Sequence, residues 1–304
     1  MSEPTSRIHD LGYKRYVGTR RPASTRWRVI LRNQIAIAWK RWWRYKLSLF
    51  LSIVITFVAG AIMYFIGGRN MKMLIGDGTQ LKIVDGVLPA VVQFYCSFPL
   101  FILSLTLGSM IIASDTQTGA FTFYYVRPVR ARDYVLGKLA GYGLIVGSLI
   151  IIPLILLAGF RLAIGLDSVD QLVERLVIFP KVLAIGTLAT LLYTTIPLAI
   201  SSLMAKRSHA IAVWAAYYYI FGNICAAIGL TSTPFVAAFD IQTGLSAVTQ
   251  QLFNVSRPIQ KNGFNLELSG NVAALILIAQ VIVAIGVIAY QVSRDQKSGV
   301  GASS

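Results

Sequence analysis

Acidic residues, histidine and cysteine are scarce in this chain, and each scarcity closes off a chemistry. The 304 residues include only 12 Asp and Glu, 2 His and 2 Cys. Cys96 and Cys225 sit inside apolar runs, so they read as small packing residues and imply neither a disulfide framework nor a thiolate metal site. His9 and His209 are too few and too scattered for a metal centre. The pattern G-x-x-x-x-G-K-[ST] does not occur, since Gly137-Lys138 is followed by Leu139. The chain therefore does not cradle a nucleotide in the P-loop manner, and no cofactor is expected. With no catalytic constellation either, it does not read as an enzyme, and any energy for its work must come from elsewhere.

Charge as a whole is also thin. Charged residues make up 13% and hydrophobic residues 56% of the chain, where an ordinary soluble domain is about a quarter charged. Spread evenly, this composition would expose too much apolar surface to stay in solution. Instead it is concentrated in runs free of Asp, Glu, Lys and Arg, each long enough to cross a hydrocarbon core of about 30 Å as a helix. The fold class is an all-α polytopic membrane protein, with six transmembrane helices expected at about 47–67, 91–113, 139–160, 182–204, 210–230 and 272–290. Span interiors that lack ionisable side chains argue against a proton relay, because such groups are kept at membrane depth only where they work.

Outside the spans the chain is basic, with a net charge of +16. Residues 1–46 hold twelve Lys and Arg against two acids. No short apolar core follows a short basic head there, so the segment does not read as a cleavable signal peptide. Residues 1–23 read as an irregular basic tail. Residues 24–46 read as an amphipathic helix lying in the interface. Trp27, Ile30, Leu31, Ile35, Ala38 and Trp42 recur at helical spacing, and Arg28, Arg32 and Lys40 fall on the other side. Trp27, Trp39, Trp42 and Trp43 are the expected anchors at headgroup depth. Anionic lipid, not nucleic acid, is the partner this charge suits.

Counting Lys and Arg on alternate sides of the six spans gives 20 for the side holding both termini, the 114–138 loop and the 205–209 turn, and 8 for the other. The positive-inside bias makes the first side cytoplasmic, including the 291–304 tail. The expected location is a multi-pass protein of a bacterial inner membrane. The connection 231–271 before the last span is longer than the rest. Its 245–253 part is apolar but too short to cross, which suits a re-entrant or surface helix. Gly137, Gly141, Gly143 and Gly147 give two G-x-x-x-G spacings at the start of the third span, suited to close helix approach within the chain or to a dimer seam. The hydroxyls of Thr187, Thr190, Thr194, Thr195, Ser201 and Ser202 either line a polar path or bond their own backbone. Tyr217, Tyr218 and Tyr219 form a local aromatic cluster, read chiefly as packing, with substrate contact as the alternative.

The 114–138 loop is the most distinctive stretch. It holds Arg127, Arg130, Arg132 and Lys138 with Asp115 and Asp133. Gly119 permits a turn, and Arg127-Pro128 ends one element. Aromatic and arginine residues on a protruding loop suit a protein contact, whereas a plainer reading has the cations anchoring headgroups. Here the chain resembles the permease subunits of type-2 (ABC-2) ATP-binding-cassette transporters, through Asp115, Gly119, Pro128, Arg130, Gly137 and Lys138. It departs from their pattern at Gln117, Ala120 and Ala131. The resemblance extends over about 25–292. It implies that the loop, with Arg127, Arg132 and Tyr134, couples the permease to a separate ATPase subunit, and that two permeases assemble with two ATPases. The importer-type loop is not seen, which favours export. The rival readings are a self-sufficient channel or secondary carrier, and an assembly scaffold.

Overall fold

Six helices of the computed structural model are long and apolar enough to cross a membrane, counted among the described residues. Those residues are 25–41, 43–67, 77–121, 129–163, 176–231, 233–255, 259–261 and 264–301. Helix α1 (Arg26–Arg41) precedes the first span, α2 (Trp43–Gly67). The second span is broken into α3 (Asp77–Ser97), α4 (Pro99–Thr106), a 3-10 turn (Gly108–Met110) and α5 (Ile111–Gln117). The third and fourth spans are α6 (Ala131–Ala163) and α7 (Ile178–Leu203). The fifth is α8 (Arg207–Ala215), a π-helical segment (Ala216–Phe221) and α9 (Gly222–Thr231). A 3-10 segment (Pro234–Phe239), α10 (Ile241–Leu252) and strands β1 (Ile259–Lys261) and β2 (Phe264–Leu266) lead to the sixth span, α11 (Gly270–Gly301).

The spans are unequal in burial. The second, third and fourth bury 67%, 50% and 61% of their apolar windows, against 28% for each of the others. The middle of the chain thus makes the core, and the first, fifth and sixth spans flank it. Five of the six fourth-span hydroxyls have hydrogen-bond partners, and Thr194 Oγ1 is buried without one. Thr187, Thr190, Thr195 and Ser202 donate to their own helix's carbonyls. Ser201 differs: its Oγ accepts from the backbone N–H groups of Ile112 and Ala113 at 3.0 and 2.9 Å. Those donors lie in the first turn of α5, where no intrahelical acceptor exists, so the fourth span repairs the break in the second.

A second repair lies at the other break. Pro99 has no N–H and cannot continue the ladder of α3. The nearby carbonyl of Cys96 accepts from Tyr193 Oη at 2.7 Å and Tyr218 Oη at 2.8 Å. Gln242 Nε2 then donates to Tyr218 Oη at 2.7 Å. Tyr218 belongs to the π-helical segment, whose extra residue rotates the tyrosines relative to α8. Tyr218 is buried, and Tyr219, half exposed, still meets Phe101 edge-on with ring centroids 4.9 Å apart, so both pack. Gln242, at the start of α10, meets Tyr218 roughly 20 Å of helix short of Thr231. Helix α10 therefore re-enters the bundle, against α11 and α3. Asp240 caps it, accepting from Thr243 N at 3.2 Å.

The strands β1 and β2 were not expected in an all-α reading. They pair antiparallel, Ile259 opposite Leu266, and bury those two side chains on Ala237, Ala238, Ala247 and Ala273. Three-residue strands are too short for an alternating pattern to show in sequence.

Candidate functional site

The N-terminal helix, the described ends of the second-to-third-span connection, the start of α8 and the end of α11 converge at one end of the bundle. Helix α1 is seated on α6 by the first pair of spaced glycines. A Cβ on Gly137 would lie 2.7 Å from Ile30 Cβ and 2.9 Å from the Trp27 carbonyl oxygen. One on Gly141 would lie 3.0 Å from Gln34 Oε1. Gly143 and Gly147 instead face Thr194 and Thr190 of α7. Both G-x-x-x-G spacings therefore serve packing within the chain.

The face that α1 turns inward differs from the expected one. Ile30, Gln34 and Ala38 are buried, an i, i+4, i+8 stripe with an amide at its centre. Trp27 and Leu31 are half-buried, whereas Ile35, Trp39 and Trp43 are exposed. The crossing with α6 is so close that only a narrow stripe is covered, and the aromatic side chains project away from it. Trp42 lies outside the described residues. Lys46 Nζ stands 5.5 Å from the centroid of the Trp39 ring.

Within the 114–138 segment, Asp115 is the hub. Its Oδ2 pairs with Lys138 Nζ at 2.8 Å and accepts from Tyr134 Oη at 2.7 Å. The ammonium also stands 5.4 Å from the centroid of the Tyr134 ring, within cation–π range. Tyr134 is fully buried, and Phe121 packs on it with ring centroids 5.2 Å apart. Asp115 and Lys138, 23 positions apart, thus tie the end of the second span to the start of the third. The pair is 17% and 8% exposed, so it is only weakly screened by water.

Two further devices shape the segment. Gly119 follows α5 with φ 65° and donates to the Thr116 carbonyl, closing the helix end. Any L-residue with a Cβ would be strained there by about 1 kcal/mol. Asp133, in the first turn of α6, accepts from Arg130 N at 3.4 Å, half of a capping box. Ala131 N donates to Gln296 Oε1 of α11 at 3.1 Å, so the last helix satisfies one orphan donor of the third. Arg130 and Arg132 point to solvent. Arg127 and Pro128 lie outside the described residues.

Asp115, Gly119, Arg130, Arg132, Tyr134, Gly137 and Lys138 are therefore brought together. Gln34, Arg207 and Gln296 belong to the same cluster and were not anticipated. Arg207 donates to Gln117 Oε1 through N and Nε, at 3.4 and 3.1 Å, linking the fifth span's start to the end of α5. Nothing in the spacing of the helix singles out Gln34, whose position four residues after Ile30 and four before Ala38 gains meaning only once those two are seen to be buried. Among the described residues, no group of His, Cys, Asp and Glu is arranged to hold a metal ion. Among the described residues, the site turns the cations Arg130 and Arg132 to solvent. A family profile described as ABC-2 family transporter protein matches residues 35–294. No curated protein matches the chain.

Proposed function

We infer what this chain does from one premise: it belongs to the ABC-2 transporter family. It is a multi-pass membrane protein and the permease of an ABC transporter. In our reading ATP is bound and hydrolysed by a separate subunit, and the 114–138 segment is where that subunit docks. The carrying observation is the Asp115–Lys138–Tyr134 clamp. It fixes the base of a short connection between two of the most buried spans, while Arg130 and Arg132 face outward beside it. A push on that connection is delivered to the core and not to a peripheral helix. ATP binding in the partner biases the spans between inward- and outward-facing states by its different affinity for the two. Export is the favoured direction, since no importer-type loop is present. Two such permeases with two ATPases, termini on the cytoplasmic side of a bacterial inner membrane, and α1 on anionic lipid complete the proposal.

Isolation of the chain in detergent from its own cells tests it. An ATPase subunit should be retained, and should be lost when Arg127, Arg130 and Arg132 are all changed to Glu, while membrane insertion is unchanged. Recovery of the chain without an ATPase, and flux after reconstitution of the chain alone, would move the reading to a channel or carrier.

A further inference from the structure

A cleft of about 390 Å³ lies between α1, the lower part of the second span, the start of α6 and the start of α8. Amide and charged side chains (Asn33, Gln34, Lys138 and Arg207) share its lining with aliphatic ones such as Leu107 and Met110. We propose that this cleft holds the phosphate head of one anionic phospholipid.

Four observations carry the assignment. Gln34 lines the cleft and is 6% exposed, and its Oε1, turned toward Gly141 of α6, is buried without a hydrogen-bond partner. A buried polar group left unpaired is costly, and a ligand that bonds it removes the cost. An amide offers a donor or an acceptor by a half-turn about its last bond, so it can serve a phosphate or a glycerol hydroxyl. The charges then select the ligand. Lys138 and Arg207 carry two positive charges, and Asp115, also in the lining, offsets one. The remaining single positive charge matches a phosphodiester with no compensating ammonium. Arg207 is exposed and engages Gln117 through N and Nε, so its terminal guanidinium nitrogens are available for charge-assisted bonds to phosphate. The aliphatic wall decides between a lipid head and free phosphate. Leu107, Met110 and Ile111 belong to a segment, Gly86–Gln117, with the length and hydropathy of a membrane span. A cleft that is charged and aliphatic at once, at the end of a span, suits an amphiphile. Its volume suits a phosphoglycerol head, with the acyl chains outside it.

This proposal does not rest on the ATPase reading, because lipid retention is measured on the chain alone. The purified, delipidated chain is titrated with dioleoyl phosphatidylglycerol, with dioleoyl phosphatidylcholine and with inorganic phosphate, and bound species are counted by native mass spectrometry. One phosphatidylglycerol should bind per chain, about tenfold tighter than phosphatidylcholine. Gln34→Leu and Arg207→Gln should each weaken it about tenfold, the loss expected for one buried or charge-assisted hydrogen bond. Arg207 is exposed, so Arg207→Gln keeps the fold and carries the test even where Gln34→Leu does not. Equal binding of the two lipids, unchanged affinity in Arg207→Gln, or binding of inorganic phosphate without lipid would each overturn the assignment.

Discussion

Asp115 bears an ion pair and a hydrogen bond on one oxygen, and this makes the site sensitive to which partner is removed. Lys138→Met leaves the carboxylate semi-buried with only the Tyr134 hydroxyl, and should lower stability by about 3 kcal/mol. Asp115→Asn combined with Lys138→Met should cost less than the two single changes added together, since neither charge is then stranded. Thermal unfolding in detergent checks this, and strict additivity would show that the pair is not coupled. At this scale the sequence was uneven. Asp115, Gly119 and Lys138 stood out because an acid, a glycine and a Gly-Lys flank the two spans. Gln34 and Gln296 did not, because a single amide carries no spacing signal. Its meaning depends on which helix it meets.

The close seat of α1 is a property of two elements together. Gly137→Val would place a branched side chain against Ile30 and the Trp27 carbonyl, and a backbone atom cannot swing aside as a side-chain tip can. The expected outcome is a displaced α1, read as faster tryptic cleavage at Arg28 and Arg32. Gly286→Ala serves as the control, having nothing within 4 Å of the added carbon, and should be silent. The spacing of these glycines was visible in the sequence, but the surface they serve was not. A G-x-x-x-G pair states that something approaches closely, and only the fold says what. The helices themselves were legible because length and hydropathy decide them. Each expected span lies inside an observed one to within a residue or two, although α6 begins at Ala131 and α11 runs on to Gly301. The breaks at Pro99 and at the 3-10 turn Gly108–Met110 lay inside one continuous apolar run, which hides them.

For the whole molecule, the charge count put four segments on one side, and contacts bring parts of all four together: α1 on α6, Arg207 with Gln117, and Ala131 with Gln296. The orientation follows as a measurable expectation. Cys96 and Cys225 are buried, so engineered cysteines report cleanly. Asn265→Cys should react with an impermeant maleimide on intact cells, and Lys206→Cys only after permeabilisation. The reverse pattern would invert the topology. The long connection before the last span was recognised, but re-entry stood there beside a surface helix, because a twelve-residue helix reads the same on a surface as inside a bundle. The interrupted second span has a mechanical consequence. A straight helix carries a displacement at one end to the other almost unchanged. This one is a jointed linkage, with Asp115 on one arm, Cys96 on another, and two joints between them pinned by side chains from neighbouring spans. A pull at the Asp115 arm is therefore expected to bend the span at the joint beside Ser201 before it reaches the arm that Tyr193 and Tyr218 hold, so that the two ends of one span need not move together.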